Sequence, residues 1–249
     1  NFTSSFGNAT VKANFNQERK DHEIYNANTS FTNFDLGKLL KNPTLGKISL
    51  NANIKGVGLN PKTASANVDA KIISAQFKQY TYRNANLKGS IQNGLLDATV
   101  AMKDPNLTFD LATEGNFKDK YPAVKLKMNV DIADLEKLNL HAGPLKIKGQ
   151  IDADFPTADV DYLNGNLLIN HLRIAYEQNE FALDTITVTA TATAEKNTIA
   201  VRSQILDAAV HGQYQLSQLG NAITQSIEKY YATNSEAKKK VATPQQLAF

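Results

Sequence analysis

The sequence predicts a mainly β fold built from stacked antiparallel meanders. Three observations carry that expectation: a long-period internal repeat, strict apolar–polar alternation, and turn dipeptides between the alternating runs. Leu45–Gly56 (LGKISLNANIKG) returns as Ala142–Ala153 (AGPLKIKGQIDA), 97 positions on. Ile72–Tyr82 returns as Leu168–Gln178, 96 positions on, with Tyr80 falling on Tyr176 and Leu87 on Leu183. Gly115 and Phe117 then fall on Gly212 and Tyr214. A near-constant offset with matching polarity describes similar units stacked side by side.

Alternation places the strands. Leu126, Met128, Val130 and Ile132 alternate with Lys125, Lys127, Asn129 and Asp131. Ile151, Ala153 and Phe155 alternate with Gln150, Asp152 and Asp154. Ile186, Val188, Ala190 and Ala192 alternate with threonines, and Ile199, Val201 and Ile205 follow. Such runs put one side of each strand on an apolar surface and the other in water. Turns are expected at Asn42-Pro43, Asn60-Pro61, Asn93-Gly94, Asp104-Pro105, Tyr121-Pro122, Phe155-Pro156 and Asn164-Gly165.

Three segments read as helix. Phe34–Asn42 has Asp35 as N-cap, with Leu36, Leu39 and Leu40 on one face. Ala133–Leu140 repeats that motif 99 positions later. From about Ser217 to Tyr231, Leu216, Leu219, Ile223, Ile227 and Tyr230 form an amphipathic stripe. The expected organisation is the tail of one β unit (1–33), two units (34–131 and 132–216), the amphipathic helix (217–231), then a polar tail and the start of a further strand (232–249). Both ends read as cut from a longer protein.

Composition bounds the chemistry. The 249 residues include no cysteine, which removes disulfides and thiolate chemistry. A net charge of +3 with scattered lysines argues against nucleic acid. No stretch approaches the roughly 18 apolar residues of a membrane-spanning helix. Four N-x-S/T triplets, at Asn1, Asn8, Asn28 and Asn106, are what so many Asn and Thr residues give by chance.

Catalytic motifs find little support. His22, His141, His171 and His211 form no H-x-x-x-H arrangement, and surface or inter-strand packing explains them. Asp152, Asp154, Asp159 and Asp161 resemble a carboxylate cluster, yet alternation alone places the first two, and the EF-hand glycine and closing Glu are missing. Gly56-Val57-Gly58 lacks the third glycine and the helix of a dinucleotide loop. No G-x-S-x-G elbow is present. Tyr80/Tyr82 and Tyr230/Tyr231 lack the basic groove that base stacking requires. The expectation is therefore no enzyme, no metal and no cofactor.

What remains is the apolar face. It either lines an open groove or closes as the core of two packed sheets, and alternation alone does not separate these. It carries many Ala, Val and Ile but few large aromatics, and an extendable repeat suits a conduit.

Several stretches together resemble one family. These are the D-L-x-x-L turn and LG-x-x-S strand within Phe34–Pro61, the Y-x-Y strand at Tyr80–Tyr82, Gly89 and Gly94, and the D-x-N-L strand at Asp104–Leu107. Over about Phe34 to Tyr231 the chain is similar to the AsmA/TamB group of Gram-negative envelope proteins, closest to the TamB-like translocation and assembly module of Bacteroidota. The resemblance implies a β-sheet curled into a U-shaped trough with a hydrophobic interior. It implies a periplasmic location, and an inner-membrane anchor and an outer-membrane barrel partner engaged by parts outside this sequence. It also implies movement of phospholipid or fatty-acyl chains, or assistance to outer-membrane protein assembly by β-augmentation.

On that reading the expected groove lining is Ile48, Leu50, Ile54, Ile72, Leu126, Met128, Val130, Leu145, Ile147, Ile151, Phe155, Leu167, Ile169, Ile186, Val188 and Val201. Leu219, Ile223, Ile227 and Tyr230 are the expected plug or lid, with a cap on one end of the sheet as the alternative.

Overall fold

The computed structural model describes residues 2–17, 22–218 and 246–248. They form one antiparallel sheet whose strand order equals the chain order throughout. The strands are β1 (Phe2–Ser4), β2 (Gly7–Gln17), β3 (Glu23–Asp35), β4 (Leu45–Val57), β5 (Ser65–Phe77), β6 (Tyr80–Gln92), β7 (Leu95–Asp104) and β8 (Leu107–Asn116). They continue as β9 (Ala123–Asp134), β10 (Leu145–Asp159), β11 (Tyr162–Tyr176), β12 (Asn179–Ala192), β13 (Asn197–Arg202), β14 (Asp207–Gln213) and β15 (Gln246–Ala248). The sheet is curled and is not closed into a barrel. The helix α1 (Leu36–Leu40) precedes β4.

Successive strands run in opposite directions, so the sheet has two rims formed by strand ends. The connections β3–β4, β5–β6, β7–β8 and β9–β10 share one rim, called here the α1 rim. The β4–β5, β6–β7 and β8–β9 connections share the far rim.

The repeat has a period of 99 residues in the strand register. Phe31, Phe34 and Asp35 pair with Leu50, Ile48 and Lys47; 99 positions on, Val130, Ala133 and Asp134 pair with Gly149, Ile147 and Lys146. Each pairing passes through the same bulge. The next interface repeats too: Asn51↔Lys71 and Ile48↔Ala75 return as Gln150↔Asn170 and Ile147↔Ile174. The offsets of 96 and 97 are corrected to this value. The cause is the β5–β6 turn, where Lys78 and Gln79 both adopt positive φ and split the Ile72–Tyr82 tract into two strands. Tyr176, which ends β11, therefore matches Phe77 and not Tyr80. An offset of 97 shares parity with 99 and keeps the facing, whereas 96 does not: it lays Ile72, on the apolar face, over Leu168, which pairs with Asp152 on the other. The face assignments stand because they come from alternation within each strand.

α1 follows the sequence. Asp35 Oδ1 accepts from the Lys38 amide at 2.9 Å, and Lys41 closes the helix with φ 52°. The second motif does not form a helix. Ala133 and Asp134 belong to β9, and Leu135–Leu140 make a single turn closed by Leu138 N to Asp134 O at 3.0 Å and Leu140 N to Leu135 O at 2.8 Å. Asp134 keeps the capping role, accepting from Lys137 N at 3.3 Å. Only Leu216–Gln218 of the third expected helix are described, and they are helical. The proposed plug residues Leu219, Ile223, Ile227 and Tyr230 lie outside the described residues.

Two expected turns lie inside strands. Pro156 falls in β10, where the register shifts between Asp154 and Thr157; at such a bulge a proline's missing N–H costs no ladder bond. Gly165 falls in β11 with φ 143°, and a Cβ there would stand 2.2 Å from the Asp154 carbonyl oxygen. The glycine serves close backbone approach, and the turn is at Val160–Asp161 instead. Ile132 leaves the apolar series as well: a bulge sets it opposite Thr108, on the hydrophilic side. Ile205 lies in the β13–β14 turn, 77% exposed.

Candidate functional site

Cross-strand partners share a face, so the register assigns every side chain. One row runs Thr29, Ala52, Ala70, Leu87, Val100, Leu111, Met128, Ile151, Ile169, Ile186 across β3 to β12. A flanking row runs Ala27, Ile54, Val68, Gly89, Ala98, Thr113, Leu126, Ala153, Leu167, Val188, Val201. All sixteen residues expected to line a groove lie on this face; Ile48, Leu50, Ile72, Val130, Leu145, Ile147 and Phe155 occupy neighbouring rows. The two-sheet alternative is set aside, because all described strands belong to one sheet.

The apolar face is the more enclosed side of the curl. Alanine, a probe of fixed size, shows it within the interior strands. On this face Ala52, Ala70, Ala85, Ala133 and Ala190 are buried and Ala98 and Ala153 half-buried, whereas on the opposite face Ala101 and Ala175 are half-buried and Ala112 and Ala182 exposed. The larger side chains of the face, among them Ile54, Met128, Ile151 and Ile169, are half-buried. Leu138 is the large apolar side chain that is fully buried among the described residues, and it lies under the β9–β10 turn. An apolar surface that remains half-covered over ten interior strands is what a conventional core avoids.

The opposite face is charged and wet. Lys127 pairs with Asp152 at 4.0 Å and Lys125 with Asp154 at 3.4 Å, with the lysine side chains 84% and 64% exposed. The clefts on this side, such as a 470 Å³ one banked by Lys146, Lys148, Arg173 and Glu180, are furrows between side-chain rows.

Asp159 and Asp161 do not join Asp152 and Asp154. Asp159 accepts from the Asp161 amide at 3.0 Å, and the Asp161 carboxylate takes the amide and hydroxyl of Ser217 at 2.9 and 3.0 Å. Among the described residues no three His, Asp or Glu side chains converge as metal ligands would. His141 contacts the Gly143 carbonyl at 3.1 Å, and His171 occupies a bulge with φ 51°.

A polar cluster that sequence reasoning passed over interrupts the apolar face at the α1 rim. Asp104 is 1% exposed. Its Oδ1 accepts from the Tyr80 hydroxyl at 2.5 Å and the Asn106 amide at 2.9 Å, and its Oδ2 from the Arg83 amide at 3.0 Å. Asn106 Nδ2 donates to the Tyr80 oxygen at 3.0 Å. Desolvation, and then the bond to Asp104, push the Tyr80 phenol above its ordinary pKa; desolvation and the Asp104 charge do the same to Tyr82. The signal was present: Asp104 continues the parity of Leu96, Ala98, Val100 and Met102, an acid in an apolar series.

No protein-family model, curated protein or solved structure matches the chain.

Proposed function

We propose that the chain is a lipid-conducting segment of a periplasmic envelope protein of the AsmA/TamB type, whose apolar trough carries phospholipid acyl chains between membranes. The observation that carries this reading is the apolar face, continuous in register from β3 to β12, half-covered, and enclosed by the curl. Ten strands, β3 to β12, at about 4.8 Å each make an apolar trough roughly 48 Å long, room for about two acyl chains end to end. Each buried CH₂ contributes about 0.8 kcal/mol, which favours occupancy without fixing a position. Head groups would remain in water along the open side. The mechanism is passive and asks for no nucleophile, cofactor or metal, so the reading is not that of an enzyme.

A second reading is a scaffold for outer-membrane protein assembly. It is favoured by β2, which among the described residues has an outer partner only over Gly7–Ala9, leaving Val11–Gln17 exposed. An edge of that length can accept an incoming strand. Mass spectrometry of lipid extracted from the purified protein separates the two. Co-purifying phospholipid supports the conduit. A lipid-free protein that captures β-strand peptides supports the scaffold, and neither result removes both.

A further inference from the structure

We propose that the α1 rim is a membrane-docking surface that engages the headgroup layer of an anionic lipid bilayer. This inference does not rest on the trough carrying lipid, and it lays the strand-stacking axis along one bilayer, whereas the conduit reading runs that axis between two.

The surface is assembled from three connections. Lys78 N donates to Thr44 O at 2.7 Å, joining the β5–β6 turn to the segment after α1. Asn139 Nδ2 donates to Lys78 O at 2.9 Å, joining the β9–β10 turn to both. Leu39, Leu40, Phe77 and Leu140 project from this continuous surface, with Leu40 59% exposed.

Its charges are sorted by depth. Asp35 and Asp134 turn inward, with side chains 15% and 4% exposed, while their lysine partners Lys38 and Lys137 are 66% and 61% exposed. Lys41 ends α1, and Lys78 Nζ lies 5.8 Å over the Phe77 ring. Glu136, set beside Lys137, and Glu177, whose amide donates to Pro144 O at 3.2 Å, are exposed acids at the same rim, fewer than the lysines Lys38, Lys41, Lys78 and Lys137. The outward potential is positive around apolar tips, the composition that binds at an anionic membrane interface.

The backbone favours a bilayer over a protein strand. The amides of Lys41, Asn42, Lys78 and Leu140 are already bonded to Lys38 O, Gly37 O, Thr44 O and Leu135 O. A loop entering a lipid interface needs such internal satisfaction, whereas strand capture needs free donors. The device also recurs, since the Asp35/Lys38 cap returns as Asp134/Lys137 six strands along the same rim.

The test is co-sedimentation of the purified chain with vesicles of phosphatidylcholine alone and of phosphatidylcholine mixed with phosphatidylglycerol. The chain is expected to pellet with the mixed vesicles and to be released by salt. Leu39→Ser with Leu40→Ser, and separately Lys41→Glu with Lys78→Glu, should each lower binding about tenfold. Leu59→Ser with Val160→Ser, on the far rim, should leave it unchanged. Thermal unfolding of each variant separates lost binding from lost fold. Equal losses from both rims would overturn the proposal. So would absence of vesicle binding by the intact chain, which would assign the exposed leucines to a protein partner.

Discussion

Tyr80 and Asp104, 24 residues apart, are hydrogen-bonded at the α1 rim, and both stand on the face that is otherwise apolar. A carboxylate 1% exposed holds three donors there, two of them backbone amides of a strand and a turn. The cluster ties β6, β7 and the β7–β8 turn together where the face ends.

Tyr80→Phe removes one of three donors and should destabilise the chain by about 1 kcal/mol, whereas Asp104→Ala orphans all three and should cost about 2–3 kcal/mol. Chemical denaturation measures both. A silent Asp104→Ala would show that the cluster holds nothing together.

The same tyrosine gives a pH signature. Its folded pKa lies above the ordinary 10.0, so its contribution is complete below the unfolded value and is lost as pH rises through the folded one. Stability should fall above about pH 10. Tyr80→Phe should flatten part of that fall, with Tyr82 and Tyr214, also shifted upward by burial, supplying the rest.

Asp35 works in the opposite range. The Lys38 amide, more than its ammonium, holds the Asp35 carboxyl below the ordinary value. Its contribution is present above the unfolded pKa of 3.8 and is lost as pH falls through the folded one. Asp35→Asn keeps a capping oxygen and should remove that acid dependence. Melting temperatures compared between neutral and strongly acidic buffer would reveal it.

On the conduit reading, Val130→Asp and Ile151→Asp should reduce co-purifying lipid more than they reduce stability. Both positions are half-covered, so the carboxylate reaches water instead of remaining in a dry core. Lys127→Ala, on the charged face, should shift stability by less than about 0.5 kcal/mol. Wholesale unfolding of both aspartate variants would mean the face is sealed.

Gly37→Ala should free α1 from the sheet, because the new Cβ would meet the Leu45 carbonyl oxygen at 2.1 Å. Gly46→Ala meets the Gln76 side chain, whose amide can swing away although its Cβ, 2.9 Å from the new methyl, must shift. A loss of about 2 kcal/mol for the first, where the clash is with backbone, and a smaller one for the second is expected. Equal losses would contradict the close seating of α1 on β4.

Facing was legible in the sequence because alternation has a period of two and is read within a single strand, independently of the repeat offset. Met128, Ile151 and Ile169 were therefore placed correctly while the repeat offset was not. What failed was local. Lys78-Gln79 makes a tight turn with no turn-forming residue, and Pro156 and Gly165 mark a bulge and a close approach instead of turns. Ala133–Leu140 carries the helix signals of its counterpart, yet Ala133 and Asp134 continue β9, and the rest is held as one turn over the buried Leu138. The Tyr80–Asp104 contact was invisible because both motifs were read singly, and only the ladder brings them together.

The 99-residue period spans six strands, an even number, so each unit begins and ends at the same rim. Residues 36–134 could then be excised, joining Asp35 to Leu135, without altering the pairing on either side: β3 meets β4 through the same bulge by which β9 meets β10. Such a protein should fold about 29 Å shorter and otherwise unchanged. Length in this architecture is a digital quantity, altered by whole units through gene duplication or deletion, so the span between two fixed surfaces can be matched by counting copies, not by redesigning any one of them.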